Sequence, residues 1–109
     1  MNKFGTVKFS GKSGTRYPFT AYPLETVFAR GFSGVFVVTQ RKPGKPGSRF
    51  VHRKISTGQS NGLCHPLAGE EGSFTERGAN CICVHAEKDK AARQTIAQDL
   101  TRRPRPGTA

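Results

Sequence analysis

At 109 residues the chain is long enough for one domain and too short for a binding domain joined to a separate catalytic one. A hydrophobic share of 34%, with eight Phe, lies above that of a disordered chain, yet no stretch approaches the roughly 20 apolar residues that cross a bilayer, so no membrane association is expected. Eighteen Lys and Arg against seven Asp and Glu leave +11, a balance that points to polyanionic partners, nucleic acid first.

The charge is one-sided. Residues 1–69 carry eleven cations and one acid, Glu25, a net of +10, whereas residues 70–109 carry seven cations and six acids, a net of +1. The N-terminus MNKFGTVKFSG has no apolar secretory segment, and three cysteines are an odd number, so free thiols and a cytoplasmic location are expected.

In chain order, residues 1–22 read as a hairpin. Val7 and Phe9 alternate with Lys8 and Ser10, the run Gly11-Lys12-Ser13-Gly14 turns, and Tyr17, Phe19 and Ala21 resume the alternation. Pro18 and Pro23 make the second strand an expected edge or irregular strand. SGKSGT does not make a phosphate-binding P-loop, because Thr6 stands where that pattern needs Gly and a strand follows. Gly34 to Gln40 is β-branched and aromatic on consecutive positions, the mark of a strand buried on both faces. The segment RKPGKPGSR at 41–49 is loop chemistry, and Val51–Thr57 follows as a strand antiparallel to the first. Leu63 and Leu67 suggest a short or broken helix within 59–72. Residues 80–85 read as a third strand, and 87–101 as a helix with Ala92, Ile96 and Leu100 on one face and Glu87 and Asp89 in its first turn. RRPRPGTA, residues 102–109, is expected to be a disordered basic tail. Cys81, Cys83 and His85 share a strand face, but their spacing of one residue is not a zinc knuckle, so they read as core and no metal is expected.

Gly34-Val35-Phe36, then Ile55-Ser56-Thr57-Gly58-Gln59-Ser60 with Leu63, then Gly78-Ala79-Asn80-Cys81-Ile82-Cys83-Val84-His85 and the last helix together resemble the GIY-YIG nuclease superfamily, in a subgroup with a GANCICVH strand. The resemblance covers residues 3–101. It implies an α+β fold, a small three-stranded antiparallel sheet flanked by helices over 33–101, preceded by the N-terminal β-hairpin. It also implies metal-assisted phosphodiester cleavage, but the family's reacting groups are absent here: its two tyrosines fall on Phe36 and Ser56, its Arg on Pro66, and its metal-binding Glu on Ala97. The motif glycines Gly34 and Gly58 remain.

The expected function is therefore a catalytically degenerate nuclease-like domain that binds nucleic acid nonspecifically. Arg41, Lys42, Lys45, Arg49, Arg53 and Lys54 would meet backbone phosphates, assisted by Arg102, Arg103 and Arg105. Two alternatives stand beside it. One is an active Mg²⁺-dependent endonuclease with His52 or His65 as base and Glu70 or Glu71 as metal ligand; the other is an interaction module for an acidic protein.

Overall fold

The apolar run at Val35–Val38 lies fully inside a sheet, paired along both edges. The computed structural model describes residues 3–44 and 50–101. Their elements are β1 (Gly5–Ser10), β2 (Arg16–Pro23), β3 (Phe32–Lys42), β4 (Val51–Leu63), α1 (Glu71–Glu76), β5 (Cys81–Ala86) and α2 (Lys90–Thr101). All five strands join one antiparallel sheet in the order β1-β2-β5-β3-β4.

This corrects the expected three-stranded sheet flanked by helices. The N-terminal hairpin does not precede the sheet; it completes it, with Thr20 to Pro23 of β2 paired to Val84 to Cys81 of β5. The reason is hydrogen bonding. Without β2, the outer edge of β5 would bury unpaired peptide groups beside the fully buried Cys81 and Cys83. β2 is thus interior, not an edge, and its prolines are tolerated because Pro18 lies outside the segment paired to β5 and Pro23 is the last residue of the strand.

Strand alternation divides the side chains into two layers. Phe9, Phe19, Ala21, Val35, Val37, Cys81 and Cys83 form the first, covered by Ile96, Ala97 and Leu100 of α2. Phe36, Val38, Ile82 and Val84 form the second. That face is covered mainly by connecting segments, through Leu24, Phe28, Leu67 and Ala79, rather than by a long helix, since α1 has only six residues and buries none of them.

The region around Leu63 also differs from expectation. β4 runs on to Leu63, which is exposed, and Leu67 belongs to the following turn, so the two leucines share no helix. At α2 the helix begins at Lys90 and not at Glu87. The Asp89 carboxylate accepts from the backbone N–H of Ala92 at 2.9 Å, the geometry of a capping residue, which stops the helix there. The C-terminal part of α2 is clasped to the β1–β2 turn. Asp99 accepts from the Ser13 backbone N–H at 2.8 Å, the Ser13 hydroxyl at 2.6 Å and the Tyr17 hydroxyl at 2.8 Å.

Candidate nucleic-acid interface

The positions that match the nuclease motif are placed as packing positions. Phe36 pairs across from Gly58, and its ring lies over that glycine so closely that a Cβ there would stand 2.5 Å from Phe36 Cζ. At Gly34 a Cβ would run into the His85 carbonyl oxygen and the Phe32 ring. Both glycines therefore permit close approach, whatever else they do. Ser56 pairs with Val38 and so shares the face of Phe36, and Pro66 precedes the buried Leu67 of the same layer. Ala97 lies in the other layer, on the buried face of α2. The sheet stands between Phe36 and Ala97.

Of the substitutes named for an active nuclease, His65 and Glu71 come together, Nδ1 to Oε1 at 3.0 Å, beside Glu70 at the start of α1. His52 is elsewhere, on β4 in the layer of α2.

The basic residues also separate. β4 has an extra residue where the register shifts between Val38 and Thr39: Val38 pairs with Ser56 but Thr39 with Lys54, leaving Ile55 unpaired. Such a bulge turns the strand beyond it by one face. As a result His52 and Lys54 lie on the layer of Thr39 and Arg41, while Arg53 and Lys42 lie on the opposite one. Arg53 is held there by bonds from Nε to Gln40 Oε1 at 3.1 Å and from a terminal nitrogen to the Arg77 carbonyl at 2.9 Å. Lys45, Arg49, Arg102, Arg103 and Arg105, and the tail itself, fall outside the described residues.

Arg41 is the centre of what remains. Its guanidinium lies over the rings of both Phe50, 3.6 Å from the centroid, and Phe4, 4.1 Å from the centroid. Each such contact stabilises by about 0.5–1 kcal/mol at an exposed site and fixes a charge that would otherwise wander. The two rings are themselves 50% and 41% exposed, unusual for Phe. Beside them opens a cleft of about 650 Å³, lined also by Lys8, Arg16 and His52 and, among the described residues, by no acid. Lys54 projects on the same layer, its Nζ 6.0 Å from the Phe9 ring.

His52 forms the inner wall. Burial first and the nearby Arg41 charge second hold its pKa below the ordinary histidine value, so it is neutral at neutral pH. Its Nδ1 lies 3.0 Å from the Thr39 hydroxyl and 3.9 Å from Cys83 Sγ, and Cys83 Sγ lies 3.9 Å from Cys81 Sγ. Donation from the Cys83 thiol lowers the pKa of Cys81 to about 7, and Cys83 correspondingly holds its own proton more tightly. The exposed Cys64 stands apart.

The sequence reading missed Phe4 and Phe50. Each is a lone aromatic beside a cation, and no local pattern ties the two to Arg41. His85 does share the strand face of Cys81 and Cys83, as expected. Its Nδ1 meets the Pro18 carbonyl at 2.7 Å, however, and it is His52, which the sequence did not group with them, that lies beside the thiols. Among the described residues no helix is long and apolar enough to cross a membrane. Comparison with protein-family models, with curated proteins and with solved structures finds no match for this chain.

Proposed function

We propose that this chain binds nucleic acid without sequence preference, single strands in particular, through the cleft around Arg41. The observation that carries the reading is the interleaving of half-exposed rings with cations, Phe4, Arg41 and Phe50 beside Lys8 and Arg16, in a concavity with no acid among the described residues that line it. Cations neutralise phosphates, and exposed rings offer a surface on which unpaired bases stack. Duplex bases are already stacked and offer no such face. The residues at the nuclease-motif positions, Phe36, Ser56, Pro66 and Ala97, contribute no general base, no metal ligand and no phosphate-binding cation, which favours binding over cleavage in a chain with the GIY-YIG resemblance.

Fluorescence anisotropy with an oligothymidylate and with a duplex of equal length tests this. Neutralisation of four phosphates by Lys8, Arg16, Arg41 and Lys54 gives a log–log salt slope of about −3 on the single strand, at roughly −0.7 per contact. Phe50→Ala should weaken single-strand binding by at least about fivefold, the lower end of one stacked base, and leave duplex binding little changed. Arg41→Ala should weaken both and flatten the slope. Absence of binding at low salt, or indifference to both substitutions, refutes the proposal. Mg²⁺-dependent cleavage that disappears in His65→Ala would favour the substitute nuclease instead.

A further inference from the structure

We propose that His52, Cys81 and Cys83 form a binding site for a thiophilic d¹⁰ cation, zinc, at the inner wall of the cleft. The three ligand atoms all lie within 4.8 Å of one another. Zinc–sulfur bonds of about 2.3 Å and zinc–nitrogen bonds of about 2.0–2.1 Å at tetrahedral angles place two sulfurs roughly 3.8 Å apart and a sulfur and a nitrogen roughly 3.6 Å apart. The observed separations are 3.9 Å for Cys81–Cys83 and 3.9 Å for Cys83–His52. Small side-chain rotations close the difference.

The backbone arranges this without a knuckle. Cys81 and Cys83 are alternate residues of a strand held on both sides, Cys81 between Pro23 and Thr39, Cys83 between Ala21 and Val37, so their thiols point the same way from fixed positions. The bulge at Ile55 supplies the third ligand, because in an unbroken register His52 would face the opposite layer. A disulfide is the competing fate of two neighbouring thiols. It needs the sulfurs near 2.0 Å, and alternate strand residues, roughly 6.6 Å apart at Cα, sit at the far limit for one. The pair therefore stays a dithiol, the form that ligates.

The surroundings fit deprotonated ligands. Thr39 is fully buried, and its hydroxyl, 3.0 Å from His52 Nδ1, would turn to donate to a thiolate once the ion takes that nitrogen. Arg41 and Lys54 lie on the same layer and favour thiolates, although they oppose a bare cation; two thiolates and Zn²⁺ together are neutral. The half-buried His52 lines the cleft and so lies on the route of entry. Three protein ligands leave one position for water.

The test uses the full chain carrying Cys64→Ser, which removes the exposed thiol, purified metal-free under a non-thiol reductant and titrated with Co²⁺. One equivalent should produce thiolate-to-cobalt charge-transfer bands and the visible bands of a four-coordinate ion, and zinc should abolish them. Cys83→Ser should remove the charge transfer, and His52→Gln, at a half-buried position that does not threaten folding, should weaken binding by at least about tenfold. No cobalt spectrum, or a spectrum and affinity unchanged in His52→Gln, overturns the three-ligand site. Binding retained only in the presence of Cys64 places the ion elsewhere and overturns it equally.

Discussion

Gly58→Ala is an informative substitution because its sign depends on one contact. Gly58 does not adopt a positive φ, so its backbone suits any residue. At such a position Ala ordinarily stabilises by about 0.4–1 kcal/mol, through the smaller entropy of the unfolded chain. Here the added methyl would sit 2.5 Å from Phe36 Cζ and 3.0 and 3.1 Å from the two Cε atoms. Phe36 is 8% exposed and packed among Val38, Ile82 and Val84, so the ring cannot swing away. Overpacking of this kind costs about 1–3 kcal/mol. The net expectation is a loss of about 1–2 kcal/mol, the repulsion exceeding the entropic gain. Phe36→Leu should itself cost about 1–2 kcal/mol by leaving a void. In that background the repulsion is gone, and Gly58→Ala should become neutral or stabilising. Urea unfolding followed by circular dichroism, read as midpoint shifts at constant slope, measures all four corners of the cycle. If Gly58→Ala stabilises the otherwise unaltered chain, or if the two substitutions add, the ring does not lie over the glycine and the packing account of the motif fails.

Two further outcomes follow from the clasp at Asp99. Asp99→Ala removes three acceptor contacts and should cost about 1–2 kcal/mol in the same unfolding assay, toward the lower end for charged bonds because the Ser13 contacts are exposed; an unchanged midpoint would mean that the clasp is not formed in solution. The hydrogen bond from Tyr17 to Asp99, then burial and the carboxylate charge, raise the pKa of Tyr17 above 10.0. The unfolded chain then loses this proton first as pH rises, so Tyr17 contributes no pH dependence below about 10 and a fall in stability above it. The phenolate absorbance of Tyr17 should appear at lower pH in Asp99→Ala, and coincident titrations would refute the contact.

Local pattern disclosed the local elements. Alternation at Val7, Phe9, Phe19 and Ala21, and the apolar run at Val35–Val38, mark strands because pleating sorts side chains by face whatever the partner. Partnership is a different matter. Nothing near Thr20 signals that it will pair with Val84, and the two prolines of β2 argued for an edge; the demand of β5 for hydrogen bonds decided otherwise. The candidate site was half legible for the same reason. Arg41 and Lys54 stood out as charges, but Phe4 and Phe50 reach Arg41 from separate segments, each just before a different strand. The placement of His52 depends on one unpaired residue, Ile55, and no periodicity announces where a register will slip.

The position of β5 in the middle of the sheet also sets a timetable. The β1–β2 hairpin leaves the ribosome ahead of β5, and by itself a two-stranded hairpin is marginal in water. Its partner strand begins at Cys81, some sixty residues after β2, which at about 5–20 residues per second is a wait of roughly 3–12 s. During that interval Phe9 and Phe19 have neither β5 nor α2 to cover them. Substitutions that strengthen the β1–β2 turn would therefore lengthen the life of an unpartnered apolar ribbon, and would raise losses to aggregation during synthesis even where they stabilise the finished protein.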